Sequence, residues 1–589
     1  MGGSSPILFL HYLLFFLLII TTSHYFMLVH SFPSLQQQKP LCHHDDNSAL
    51  LHFGQSLSII KSIPISLDLQ FIQRLHRGIL VAVITAHGTV SLVMMTLPYN
   101  WFNHSQIPSA IGLLLRLPYL NLSYSVFAGQ IPLEISNLTK LTSLDLSRNL
   151  VELLKPGLTS LVQNLMDLKQ LHLSRVKISS QFLNVKDSPD LSGYLPEFHK
   201  RSPLKELGLS RTNFSGVVPN SIGNLHSLNK LDMSQCNFTG SIPYSFGNLA
   251  KLLYLSLLGS NFFRELPNSV GQLKSLNHLE MVKYLLPLIP YSLGNFTQLL
   301  YLRLSSNLLH GPIPESISRL MNLEVLYLDG NNLNGIVELD VFLTLKNLTT
   351  LELSSNQLTL FPSSFINATL PKFMYLGLNS CNLTEFPDFL KTKDELLSLT
   401  LSNNNIQVPL PTWIWNTSTQ TLETLDLSQN LITGAFLEHP VGLLWDRLWL
   451  LDLSSNMLQG PLLVPSSSIQ FYNVANNKLT GEIPQLICNA SSLRVLDLTY
   501  NNLSGTIPHC LASFSDSLEL LNLRNNKLRG PIPQTYKNGT QLRMINLSQN
   551  QLEGPMLNLL VNCSILESLD LGNNQIDDIF PFWLQTLPE

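Results

Sequence analysis

Residues able to do chemistry are thinly spread in this chain. Its 589 residues hold sixteen histidines and six cysteines. None falls into an H-E-x-x-H pair, a C-x-x-C pair, a phosphate loop or a G-x-S-x-G elbow between strand and helix. His43-His44-Asp45-Asp46 sets imidazoles beside carboxylates, which reads as a metal tract or as a solvated helix start. The expectation is no catalytic residue, no metal and no cofactor. Two groups of positions remain. Cys488 and Cys510 fall just after Pro484 and Pro508, and a disulfide between them is open if the chain is secreted and the geometry permits. Tyr254, His278, Glu280, Tyr301, Arg303, Tyr327 and Asp329 recur at matching offsets in successive segments. Aromatic residues with arginine are what binding centres favour, while neutral drift on a solvated face gives the same list.

What must position these residues is a repeat. From Leu493 to Pro508 the chain reads LxxLxLxxNxLxGxIP, and the string returns at Leu518 and at Leu542. This period and pattern are the signature of leucine-rich repeats. The L-x-x-L-x-L part predicts a short strand with its leucines turned inward and its x residues on the opposite face. Stacked units give an α/β leucine-rich-repeat solenoid: a curved right-handed superhelix with a parallel β-sheet on the concave face and short helical turns and loops on the convex face. Segment starts at Leu117, Leu141 and Leu168, then from Leu204 to Leu566, give about nineteen repeats over residues 112–589. The spacing from Leu168 to Leu204 is neither one period nor two, so 174–203 holds either an insertion or a deletion.

The ninth position is usually Asn, as in Asn307, Asn331, Asn356 and Asn501. Its amide is suited to satisfying buried backbone groups of adjacent coils. Cys236 and Cys381 take that place in two repeats and read as structural thiols. In the L-x-G-x-[I/V]-P tail, Gly permits a tight turn and Pro ends strand pairing. Runs such as Ser221 to Leu225 predict helical turns on the outer wall.

Charged residues are 13% and the net charge is −4, so no basic stripe for nucleic acid is expected. Residues 1–30 are apolar and read as a secretory signal, with an N-terminal membrane anchor as the alternative. N-x-[S/T] sequons agree with secretion: Asn103, Asn121, Asn137, Asn213, Asn237, Asn295, Asn347, Asn367, Asn382, Asn416, Asn489, Asn502, Asn538, Asn546 and Asn562. No second apolar run of about 20 residues occurs, so a membrane connection is expected only through a C-terminal helix that this sequence does not contain.

Cys42, Ala49, Leu50 and Leu51 resemble the N-terminal cap of plant extracellular leucine-rich repeats. Residues 40–100 depart from that cap, lacking its closing W-x-G-[V/I]-x-C motif. Thr85 to Met95, read two bases out of frame, permits Cys-Ser-Trp-Asp-Gly-Val-Thr-Cys-Asp; a frameshift or simple divergence accounts for the degenerate cap. The strings from Leu479 to Leu511 and from Asn562 to Leu584 resemble the ectodomains of plant receptor-like proteins, notably the Cf-type disease-resistance proteins. The resemblance implies an extracellular receptor of plant immunity, attached to the plasma membrane in the intact family. It also implies that a peptide or pathogen protein is held on the concave face and that signalling runs through a receptor-like kinase co-receptor. It further implies more repeats and a C-terminal cap, neither present in this sequence, so a fragment or truncated product is expected. A secreted inhibitor of a cell-wall-degrading enzyme and a non-functional truncated product are the alternatives. An enzyme is not expected.

Overall fold

The computed structural model describes residues 79–84 and 90–577, apart from 154–156, 178–192, 263–265, 283–287, 362–369, 436–444, 514–516, 534–540 and 556–564. The apolar leader, Cys42, the His43–Asp46 tract, Cys563, and Asn367, Asn538 and Asn562 lie outside the described residues.

The leucine pattern builds one principal sheet of 21 strands. Its first two strands, Ile79–Ile84 and Val90–Thr96, form an antiparallel hairpin at the edge where the cap was expected. The second of them pairs in parallel with Tyr119–Asn121, the strand of the first repeat. Every later pairing in this sheet is parallel and joins one repeat to the next, as in Val495–Asp497 beside Leu520–Asn522. Strands of three residues suffice because the leucines at both ends and the middle are buried: Leu493, Leu496, Leu498 and Leu503 are fully enclosed. One continuous hydrophobic core runs from Met95 to Leu552. A solenoid grows this way, each coil burying its apolar face on its neighbours.

The irregular segment falls between two strands that are direct neighbours in the principal sheet. Gln170–His172 pairs directly with Glu206–Gly208. Beyond residues 178–192 the Gly193 carbonyl accepts from Ser215 N. Leu195 and Phe198 then re-enter the core.

The tails form turns and something more. After most of the tail prolines comes a five-residue 3₁₀ turn, for example Asn220–Asn224 behind Pro219 and Tyr244–Asn248 behind Pro243, while a short α-helix, Cys510–Ser513, follows Pro508. The proline sits extended and its carbonyl accepts the N–H three residues on. Stacked turns approach closely at Gly223, where a Cβ would lie 2.6 Å from the Ser245 carbonyl oxygen. Between the principal strands and these turns lie further short parallel strands, such as Lys478–Glu482, Asn502–Gly505 and Lys527–Gly530, joined in sheets of up to six. The expectation of turns and loops alone on this side omits them. Pairing does stop before the prolines, which cannot donate a ladder hydrogen bond.

The ninth-position asparagines hold coil to coil. Asn331 Oδ1 accepts from Asn307 N at 3.1 Å and Leu309 N at 3.2 Å, and its Nδ2 donates to Leu304 O and Leu328 O, each at 2.9 Å. The same pattern recurs at Asn430, Asn456, Asn501 and Asn550. Cys236 substitutes with Sγ 3.0 Å from Leu209 O. Cys236 and Cys381 are free and buried.

Candidate functional site on the concave face

Parallel pairing without slippage puts equivalent x residues of successive repeats side by side. The seven residues singled out in the sequence form one patch, sorted by register into three rows. In the first row Tyr254, His278 and Tyr301 are direct register partners, followed by Val325. Their rings stack along the sheet: Tyr254 to His278 is 4.3 Å between centroids at 15°, and His278 to Tyr301 is 4.2 Å at 9°. The second row runs Ser256, Glu280, Arg303, Tyr327. There the Arg303 guanidinium lies 5.4 Å from the Tyr327 ring centre, a cation–π distance. Tyr327 also tilts toward Tyr301, at 6.2 Å and 54°. Asp329 stands in the third row and accepts from Ser305 Oγ at 2.6 Å.

The rows are tied together by polar contacts. His278 Nε2 is 3.5 Å from Glu280 Oε1, and Ser256 Oγ donates to Glu280 Oε2 at 3.0 Å. All seven residues are half-buried; the two tyrosine rings cover the faces of His278, and each member keeps part of its surface open to solvent. Burial pushes the phenols of Tyr254 and Tyr301 well above their ordinary range, and that of Tyr327 to about 12. The three tyrosines therefore stay neutral and keep a donor hydrogen. Glu280 is pushed up by burial, but the His278 imidazole, Ser256 and Arg303 outweigh that and leave its carboxyl below the ordinary range. Burial raises Asp329. The surface thus combines flat apolar rings, one cation, anchored carboxylates and phenolic donors.

These repeats differ from their neighbours for a local reason. In six other repeats the second-row residue is Asp (Asp145, Asp232, Asp426, Asp452, Asp497 and Asp570), and its Oδ1 accepts the N–H two residues on, as Asp426 does from Ser428 N at 3.0 Å, Asp452 from Ser454 N at 2.9 Å and Asp497 from Thr499 N at 3.0 Å. That Asp is a turn-stabilising residue. Glu280, Arg303 and Tyr327 replace it, exchanging a short local cap for side chains long enough to reach outward.

Reasoning from the sequence missed four flanking residues. Lys230 lies 5.1 Å from the Tyr254 ring centre, and His172 Nε2 is 3.2 Å from Glu206 Oε2 two strands further. On the other side Glu352 continues the second row, pushed up to about 7 by burial. A Cβ at its register partner Gly377 would collide with its carboxylate, so glycine there makes room for it. The same offsets in the adjoining repeats were the available signal.

Cys488 and Cys510 are joined by a disulfide between neighbouring coils, with Cα atoms 5.6 Å apart. Among the sequons, Asn103, Asn137, Asn213, Asn237, Asn295, Asn347, Asn382, Asn416, Asn489 and Asn502 are exposed. Asn546 departs from the expectation: it is buried on the concave sheet and its Oδ1 holds Ser548 N at 3.1 Å, leaving no room for a glycan. Asn121 is half-buried and holds Ser123 N in the same way. No cluster of three or more His, Cys, Asp or Glu able to hold a metal lies among the described residues, and no helix among them is long and apolar enough to cross a membrane.

Comparison with known proteins agrees with this architecture. Leucine-rich-repeat family models match residues 491–552 and residues 203–225, 227–249, 298–320, 347–368 and 566–587. The chain is 37% identical over 521 residues to Receptor-like protein 6 of Arabidopsis thaliana, a match covering 72% of this chain and 52% of that protein. It is 42% identical over 125 residues to Receptor-like protein 7 of the same plant, covering 21% of this chain and 12% of that one. It thus spans about half the length, or less, of these curated relatives. Among solved structures it is similar to the ectodomain of the Arabidopsis receptor kinase HAESA in complex with an N-terminally extended IDA peptide hormone. That match has a TM-score of 0.70 and 26% identity, covering 92% of this chain and 91% of that one. It is also similar to PEPR1–AtPEP1, with a TM-score of 0.65 and 26% identity, covering 92% of this chain and 77% of that one. With its repeats, its parallel concave sheet and these relatives taken together, the chain belongs to the plant leucine-rich-repeat receptor-like proteins.

Proposed function

We propose that the chain is the ligand-recognising part of an extracellular receptor, taking an extended peptide or exposed protein segment across the concave patch from Tyr254 to Asp329. Signalling then passes to a partner receptor-like kinase, and plant defence is the setting the family resemblance points to. The observation that carries this reading is the continuous Tyr254–His278–Tyr301 ring stack flanked by Arg303 and Tyr327. Glu280, Arg303 and Tyr327 stand there in the place that a turn-capping Asp takes in repeats such as those of Asp232, Asp426 and Asp497. Stacked aromatic rings with one guanidinium supply large contact area at low entropic cost, as binding centres do. A peptide hormone accompanies the similar HAESA ectodomain named above, which supports a peptide as the ligand class. Selection of a random dodecapeptide display library on the intact protein tests it. Selected peptides should lose at least about tenfold in affinity with Tyr301→Ala or Arg303→Ala. Binders indifferent to both substitutions would remove the patch from consideration.

A further inference from the structure

We infer that the five N-terminal coils carry a second binding surface, a guanidinium strip at the lateral edge of the concave sheet that takes an extended acidic peptide segment. The strip is built at the eighth repeat position, immediately before the ladder asparagine. There Tyr99, Tyr124, Arg148, Arg175 and Arg211 follow one another, one per coil, all with φ between 53° and 65°. Each N–H donates to a carbonyl of the next coil: Tyr99 to Ser123, Tyr124 to Ser147, Arg148 to Ser174, Arg175 to Ser210 and Arg211 to Ser234, at 2.7–3.2 Å. The left-handed conformation is therefore imposed by the coil stack, whatever side chain is present. Gly and Asn tolerate it best. Later coils mostly use small or amide residues there, such as Gly330, Ser355, Asn403, Asn476 and Asn573. Five consecutive long side chains in the position least suited to them need a reason outside the backbone.

Their arrangement supplies one. Tyr99 and Tyr124 stack at 4.5 Å, and the Arg148 guanidinium lies 4.6 Å from the Tyr124 ring centre. The three arginines and Tyr99 are exposed. Among the described residues, no carboxylate lies within ion-pair distance of Arg148, Arg175 or Arg211. The nearby acids are engaged elsewhere: Asp145 caps Ser147 N, Glu152 meets Lys177 at 3.4 Å, and Glu206 meets His172. Like charges held together lower the arginine pKa, as Arg211 and Arg148 do for Arg175 after burial. Adjacent strands are about 4.8 Å apart, so the guanidiniums span about 10 Å, the length of three extended residues. Carboxylates on such a segment would relieve the repulsion through charge-assisted, fork-shaped hydrogen bonds. The sequence does not show the strip as basic, because its members lie 27 and 36 positions apart, the second interval spanning the irregular segment.

The test is fluorescence anisotropy of a fluorescein-labelled octaglutamate peptide with the intact protein at low salt, where such contacts are least screened. Binding by the natural chain is expected, weakened at least about tenfold in R148N/R175N/R211N. That variant should melt at the same temperature or higher, since Asn suits the left-handed site better. The triple lysine variant should recover only part of the affinity, having charge without the planar fork. Tyr301→Ala should leave octaglutamate binding unchanged, which separates this surface from the concave patch. The assignment is overturned if the natural chain does not bind, if the asparagine variant binds equally, or if its melting temperature falls in parallel. It is also overturned if an oligogalacturonate displaces octaglutamate at lower concentration, which would mark a sugar-acid occupant.

Discussion

Replacing Asn331 by Ala isolates the device that couples one coil to the next. The side chain serves five backbone groups, but not equally. Its Nδ2 donates to the carbonyls of Leu304, Leu328 and Asp329. Leu304 O also receives Asn307 Nδ2, and Leu328 O also receives Asn356 Nδ2, so those two carbonyls keep a partner. The loss therefore falls mainly on the N–H groups of Asn307 and Leu309, both donated to Asn331 Oδ1 inside the core. A buried donor left without an acceptor costs about 1–3 kcal/mol. Two of them give a loss of roughly 2–6 kcal/mol for Asn331→Ala. Asn331→Cys should cost less, since Cys381 and Cys236 show that a thiol fits this place, though sulfur accepts weakly. Asn331→Asp keeps the acceptor but turns an oxygen toward the carbonyls, and should cost at least as much as Ala. Urea denaturation followed by circular dichroism measures this. Because each coil touches only its neighbours, the variant should split the transition near the middle of the array. An alanine variant within about 0.5 kcal/mol of the natural protein, with a single unchanged transition, would refute the reasoning.

Three further outcomes follow from the same geometry. Burial holds the Glu352 carboxyl at about 7, and burial together with its register neighbour Asp426 raises Asp452. The folded chain thus keeps protons that the unfolded chain has released between about pH 4 and 7. The stability these groups contribute is present at low pH and is lost as pH rises through that window, and Glu352→Gln or Asp452→Asn should restore roughly 1–2 kcal/mol at pH 7.5 while changing little at pH 4, measured by urea titration at each pH. Reduction of the Cys488–Cys510 bridge, which closes a separation of 22 residues, should destabilise the coils it joins by about 2–3 kcal/mol, seen as earlier proteolysis there in dithiothreitol. Cys236 and Cys381 should resist iodoacetamide until the chain is unfolded, because burial pushes both thiols up, Cys381 to about 12.

The architecture was legible because its cause is periodic. Leucines recurring as L-x-x-L-x-L specify a strand with one apolar face, and a period near 24 specifies that strands stack in one direction. The Asn ladder was legible from chemistry, an amide being the side chain able to meet both N–H and C=O groups of adjacent coils. The second set of short strands was not, since segments such as Asn502–Gly505 alternate exposed and buried residues for only four positions and resemble the turn that follows them. The seven candidate residues could be found by offset, but which rings would stack depended on register: Tyr301 meets His278 squarely, whereas Tyr327 belongs to the next row. The arginine strip was hidden for a related reason. Its members come into line only once Gln170–His172 is seen to pair directly with Glu206–Gly208.

The most direct measurement on the central claim is site-specific photo-crosslinking. A benzophenone amino acid placed in turn at Val325, on the concave patch, and at Tyr244, on the exposed convex wall, is irradiated with a library-selected peptide, and the adducts are mapped by mass spectrometry. The account predicts adducts from Val325 that Tyr301→Ala suppresses, and none from Tyr244. Adducts from Tyr244 with none from Val325 would contradict it.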